Sequence, residues 1–231
     1  MAETFVNLPV VDARDETPTL RALVLDGATV AALHLAPGQV VKVKNAAGEG
    51  YFALANAPGT GRLELLVRRG GAVGDELIAG AKAGSEVQAT APFGRGFPVA
   101  EGRNRDLLLF AAGSGISPMR ALVQHITAAR DGFGRVVLFY GERTDHDFAY
   151  AGEREGWTAR GVQVVLCASR PSEAWAGPKG YVQDVARQLA FASIDAAGAV
   201  AYLCGMKGMV SSVRDTLASA GLPVERTYLN Y

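Results

Sequence analysis

The sequence predicts two domains: an N-terminal antiparallel β-barrel over residues 1–102 and a C-terminal α/β domain with a doubly wound parallel sheet over 103–231. Three observations carry this prediction. As far as Thr90, short strand-like runs are broken by Pro-Gly and Gly-rich turns about every ten residues, the rhythm of a sandwich or barrel. Beyond Arg105, strand-like and helical runs alternate, which builds a parallel sheet. Between the two, residues 101–105 (EGRNR) are polar and make a linker.

In chain order, residues 19–26 (TLRALVLD) form the first clear strand, stopped by Gly27. Residues 29–35 (TVAALHL) read as another, closed by Ala36-Pro37-Gly38. Residues 40–44 (VVKVK) alternate with period two. Residues 51–55 make a short strand before the Ala57-Pro58-Gly59 turn, and residues 62–69 (RLELLVRR) make the next. Residues 74–81 read as a short helix, after which 85–90 return to strand. In the second half, strands are expected at 107–112, 135–140, 162–168 and 199–204, with helices near 118–130, 181–190 and 207–220.

The stretch LLLFAAGSGISPMR, residues 107–120, organises the rest. Leu107 to Phe110 is a continuous apolar run, which suits a strand buried on both faces of a parallel sheet. Gly113-Ser114-Gly115 breaks the run, and Pro118 is favoured in a first helical turn. Met119, Leu122, Val123 and Ile126 then share one helical face. A strand, a glycine turn and a helix aim backbone N–H groups at an anion, and the helix dipole adds positive charge there. The anion expected is the pyrophosphate of a nicotinamide dinucleotide. The plainer alternative is a turn that uses glycine only for φ > 0, because the G-x-G-x-x-G pattern is incomplete.

Composition narrows the classes. Hydrophobic residues make up 49% and charged residues 20%, a globular balance with an ample core. The net charge is zero, which disfavours nucleic acid as a partner. No apolar stretch reaches the roughly 18–20 residues of a membrane helix. The opening MAETFVNLPVV lacks the basic region and apolar core of a secretory signal. Cys167 and Cys204 are the only cysteines and lie far apart, as reduced thiols do in a cytoplasmic protein. They are too few for a Cys₄ cluster, and His34, His125 and His146 pair with no cysteine at ligand spacing, so no metal site is expected.

Further motifs appear in order. Pro37-Gly38-Gln39 precedes a strand, and G-S-G-I-S-P follows the first strand of the second half. Tyr140-Gly141-Glu142-Arg143 ends the next. Ser169-Arg170-Pro171, Trp175-Ala176-Gly177 and Gly180-Tyr181-Val182-Gln183 follow the third. Tyr202-Leu203-Cys204-Gly205-Met206-Lys207-Gly208-Met209 ends the fourth. Together these motifs resemble the ferredoxin–NADP reductase-like flavoproteins along nearly the whole chain.

That resemblance implies a barrel that binds FAD and a sheet that binds NADP or NAD. It implies hydride transfer from NAD(P)H to flavin N5, followed by electron transfer to an acceptor. The cofactors would carry the reaction while the protein positions them, which suits a chain without a catalytic triad. Gly113, Ser114, Gly115 and Ile116 would hold the dinucleotide pyrophosphate, with Ser117 beside them. Cys204 and Gly205 would end a strand under the nicotinamide, with Met206 in reach. Ser169 and Arg170 would stand at the 2′-phosphate, Tyr181 and Gln183 near the adenine, and Arg143 among the other cofactor-binding residues. Arginine suits phosphate through charge-assisted hydrogen bonds, a slight lean to NADP.

The flavin side departs from the family's Arg-x-Tyr-Ser pattern. Leu54-Ala55-Asn56 fixes the register, so Gly50, Tyr51, Phe52 and Ala53 fall on those four positions. The arginine and serine are missing; Phe52 remains to pack on the ring. A second phosphate segment is assigned to Val67, Arg68, Gly71, Ala72, Val73 and Gly74. Arg68 and Arg69 either compensate for the missing arginine or form a solvated strand end. Tyr231 either covers the flavin face as a movable gate or belongs to an edge strand, TYLNY. A basic rim (residues 62, 68, 69, 82, 95, 103 and 105) would suit a small acidic carrier such as ferredoxin. Two alternatives stay open: a nucleotide-binding regulatory module without flavin, and an electron-input subunit of a larger redox complex.

Overall fold

A computed structural model describes residues 4–189 and 193–230. The first sheet has six strands: β1 (Phe5–Thr17), β2 (Leu20–Asp26), β3 (Val40–Asn45), β4 (Gly48–Ala53), β5 (Arg62–Arg68) and β6 (Glu86–Thr90). They pair antiparallel in the order β4-β3-β6-β1-β2-β5. A bridge between Leu54 and Leu65 brings the two outer strands together, and the Ala55 N–H donates to the Glu64 carbonyl at 2.8 Å. The interior is filled by alternate residues such as Leu23, Leu25, Val41, Val43, Leu63 and Leu65, all excluded from water. Helix α1 (Ala28–Ala31) and helix α2 (Ala72–Gly80) add Ala31, Leu77 and Ile78 to that core.

The expected strand at 29–35 is instead α1 and a turn. Strand β2 is already flanked by β1 and β5, so an alternating segment after it finds no free edge. The segment folds over the barrel end, where the Gln39 carboxamide oxygen accepts the N–H groups of Leu35 and Ala36 at 2.7 and 3.2 Å. The longest strand, β1, is absent from the sequence reading. Its second half, from Asp12 to Thr17, is polar apart from Ala13 because much of it faces solvent while it pairs with β2.

The second sheet holds β7 (Leu107–Ala112), β8 (Val136–Glu142), β9 (Val162–Ala168), β10 (Val200–Cys204) and β11 (Thr227–Leu229). All pairs are parallel, in the order β11-β10-β7-β8-β9. Helices α3 (Ile116–Ala128), α5 (Val182–Leu189) and α6 (Lys207–Ser219) follow the expected pattern; the short α4 (Arg154–Ala159) was not foreseen. Leu107 and Leu109 pack on the α3 side, whereas Leu108 and Phe110 pack on the α5 and α6 side. Coverage of both faces explains the unbroken apolar run. Strand order reverses between β7 and β10, the point at which ligands bind in open α/β sheets.

One face of α3 ties the two sheets together. Ser117 Oγ donates to the Ala53 carbonyl at 2.7 Å, and Arg120 Nη1 donates to the Ala55 carbonyl at 2.7 Å. The Ala57 N–H donates to Gln124 Oε1 at 2.8 Å. Residues 117, 120 and 124 recur on a helical face, and residues 53, 55 and 57 alternate along the chain after β4. Arg120 is also paired with Glu64 at 2.8 Å and Glu153 at 2.8 Å, and lies 4.7 Å from the Tyr150 ring centre. The glycine turn and the end of β4 are thereby held against each other.

Candidate functional site

A cleft of about 1210 Å³ opens between the sheets. One wall is the end of β4 with the loop before α2; the other is the C-terminal ends of β7, β8, β9 and β10. Among the described residues no three His, Cys, Asp or Glu side chains converge as a metal site, and no helix is long and apolar enough to cross a membrane.

The glycine turn is shaped by close neighbours. Gly113 has φ +60°, and a Cβ there would lie 2.7 Å from Arg68 Nη2. A Cβ on Gly115 would lie 2.2 Å from the Cys204 carbonyl oxygen. Positions 113 and 115 therefore require glycine, and Gly113, Ser114 and Gly115 line the cleft. Two neighbours assigned to the same role differ. The Ile116 side chain is fully buried in the sheet core, and the Ser117 hydroxyl is spent on the Ala53 carbonyl.

Arg68 crosses the cleft. Its Nη2 donates to both carboxylate oxygens of Glu142, at 3.0 and 3.1 Å, above the Gly113 turn. Glu142 also accepts from the Tyr140 hydroxyl at 3.0 Å. Burial raises the Glu142 carboxyl above its ordinary value, against the opposing pull of Arg68 and the Tyr140 hydrogen bond. Arg68, expected near a flavin phosphate, thus sits at the turn expected to hold the other nucleotide.

On the β4 wall, Tyr51, Phe52 and Ala53 face the cleft. Tyr51 is 66% exposed and meets the Phe93 ring edge-on at 6.1 Å. Val67, expected at the phosphate segment, and Leu54, counted with Tyr51 to Ala53 as cofactor-binding from the sequence, are wholly buried in the barrel core instead. A Cβ at Gly50 would lie 3.3 Å from Val73 Cγ1, so α2 packs where the family's arginine was expected. Gly71 and Gly74 reach the cleft wall. Val73 packs on the barrel, its carbonyl accepting from Asn45 Nδ2 at 3.0 Å, and Ala72 is exposed outside the cleft lining.

At the far end of the cleft, Arg143 and Arg170 are exposed, and among the described residues neither makes an ion pair. The Arg170 N–H donates to the Arg143 carbonyl at 2.7 Å, and the Ser169 N–H to the Glu142 carbonyl at 3.0 Å. Tyr181 and Gln183 complete this end; Gln183 Oε1 is buried without a hydrogen-bond partner among the described residues. At the switch point, Cys204, Gly205 and the exposed Met206 line the wall. Burial pushes the Cys204 thiol up to about 12. Tyr231 lies outside the described residues, whereas 227–229 form the edge strand β11.

Four of the seven basic residues expected at a rim are placed by their contacts or their strand. Arg62 opens β5 while Arg68 closes it; Arg103 lies 4.8 Å over the Phe133 ring, and Arg105 donates to the Gly198 carbonyl at 3.0 Å. Glu142, Phe93 and Asn230 line the cleft without having been foreseen. Glu142 was legible only as part of a motif, and Asn230 only as a neighbour of Tyr231.

Residues 109–215 match the oxidoreductase NAD-binding domain family. The chain is 28% identical to the sulfhydrogenase 1 subunit gamma of Pyrococcus furiosus over 84% of its own length and 66% of that protein. It is 28% identical to the ferredoxin reductase component of the 3-ketosteroid-9-alpha-monooxygenase of Mycolicibacterium smegmatis, over 97% of its length and 64% of that protein. It therefore spans just under two thirds of both relatives. The ferredoxin NADP⁺ reductase of Neisseria gonorrhoeae, solved with bound FAD and NADP, matches the fold with a TM-score of 0.82 at 16% identity, each chain covered completely. A barrel-like antiparallel sheet leading into this parallel sheet gives the chain the fold of that ferredoxin NADP⁺ reductase, and its second half, over residues 109–215, matches the oxidoreductase NAD-binding domain family.

Proposed function

We propose that the chain is a flavoprotein reductase that oxidises NAD(P)H, with residues 1–102 as its FAD half and 103–231 as its nicotinamide half. The observation that carries this reading is the cleft in which the β4 wall faces the glycine turn and the Cys204-Gly205 strand end. The residues present fit a flavin. Tyr51, Phe52 and Ala53 line an open wall of the cleft, apolar apart from the Tyr51 hydroxyl. The first amides of α2 supply donors for a phosphate where a side-chain arginine is lacking.

A flavin held there by the β4 wall and the α2 amides would supply two-electron redox chemistry. The protein's own groups then have distinct tasks. The Gly113–Gly115 turn binds the dinucleotide pyrophosphate, with Arg68 adding charge above it and Glu142 holding Arg68 in place. Cys204 and Gly205 support the nicotinamide ring. Arg143 and Arg170 bind the 2′-phosphate, which favours NADPH over NADH. The buried Gln183 Oε1 accepts from the adenine amine. The acceptor is a small redox protein such as a ferredoxin, as the names of the relatives support.

The missing side-chain ligands at Gly50 and Ala53 favour one second reading, a nucleotide-binding module without flavin. Titration with FAD, followed by quenching of flavin fluorescence, separates the two. The reductase reading expects saturable quenching in the micromolar range or tighter, about the affinity that K_d values of 1 μM represent. A flat titration alongside intact NADP⁺ binding leaves only the module.

A further inference from the structure

Asn230 is 7% exposed and lines the cleft, yet its Oδ1 is buried with no hydrogen-bond partner among the described residues. A buried carbonyl without a donor is costly and calls for a ligand. Its position is defined from both sides. The β10–β11 register pairs Leu203 with Leu229, so Asn230, one residue on, leaves the sheet at the end where Cys204 ends β10, and both line the cleft. On the barrel side, a Cβ built on Gly38 would lie 3.2 Å from Asn230 Cβ and 2.8 Å from Phe97 Cδ2. Asn230 is wedged between the halves.

We infer that Asn230 Oδ1 accepts a hydrogen bond from the carboxamide NH₂ of the nicotinamide and so fixes which way round the ring lies. A carbonyl oxygen repels phosphate, and so near the apolar wall it selects a neutral N–H donor. Of the ligand groups assigned to this cleft, the carboxamide is the amide expected beside Cys204. The inference rests on the reading above, that nicotinamide lies against the Cys204 strand end. Asn230 is thus a specificity-determining residue that the sequence reading missed.

The test measures equilibrium binding by calorimetry for three ligands: NADP⁺, its 3-acetylpyridine analogue, which lacks the NH₂ donor, and 2′-phospho-ADP-ribose, which lacks the ring. The wild type should bind NADP⁺ about tenfold tighter than the acetylpyridine analogue, the worth of one hydrogen bond. In Asn230→Leu the two should bind within about twofold of each other, while 2′-phospho-ADP-ribose binds as to wild type. Asn230→Asp, which keeps the shape and the acceptor, should restore the preference. Equal binding of the two dinucleotides by wild type overturns the inference whatever the variants do. A tenfold preference that survives Asn230→Leu also overturns it, as does a loss confined to FAD binding. Failure of wild type to bind even 2′-phospho-ADP-ribose would instead remove the nucleotide site on which the inference stands.

Discussion

Replacing Arg120 by Met tests whether α3 locks the two halves together. The guanidinium is 7% exposed and donates to the Ala55 carbonyl, Glu64 and Glu153 while lying over Tyr150. Burial alone would lower its pKa, but the Glu153 hydrogen bond and the charge of Glu64 raise it overall, so it stays charged at every working pH. Removing one member of a buried pair costs about 3–5 kcal/mol, mostly from the partners left behind. Here those partners keep 23% and 31% of their side-chain surface in water, so they rehydrate in part and the low end applies, about 3 kcal/mol. For a chain of this size that lowers Tm by roughly 6–12 °C. Thermal unfolding followed by circular dichroism reads it directly. A fall of less than about 2 °C would refute the reasoning, because it would mean the network contributes no more than a surface ion pair.

Other outcomes follow from the cleft. Arg170→Ala should weaken NADPH much more than NADH in binding titrations; equal losses would remove Arg170 from the phosphate site. Cys204→Phe should slow reduction by NAD(P)H while FAD binding, read by fluorescence, stays near wild type; unchanged reduction would displace the nicotinamide from this strand end. Burial raises the Cys167 and Cys204 thiols to about 12, above the unfolded value near 8.5, so both stay protonated at pH 8. Iodoacetamide should therefore label native protein roughly a thousandfold more slowly than guanidinium-unfolded protein. By the same sign, the stability these thiols contribute is complete below about pH 8.5 and is lost as pH rises toward 12.

Much of the architecture was legible because one rule governed each segment. The run from Leu107 to Phe110 has no polar alternate, and only a sheet covered on both sides accepts such a strand. Residues 29–35 misled because alternation reports a strand only where an edge is free to receive it, and β2 had none. The site was legible where the backbone makes it, at Gly113 and Gly115. It was illegible where side chains meet across the cleft. Arg68 and Glu142 are 74 positions apart, and nothing local to either predicts the pair. Leu54 and Val67 show the complementary error: a motif fixes register, yet the strand's pleat decides which of its residues reach the cleft.

The central claim is that one cleft brings flavin and nicotinamide together. Its most direct measurement is the visible spectrum of the FAD-loaded protein, followed anaerobically as NADPH or NADH is added. A flavin band at about 450 nm should bleach stoichiometrically. A protein that binds both nucleotides yet keeps its band unchanged would contradict it.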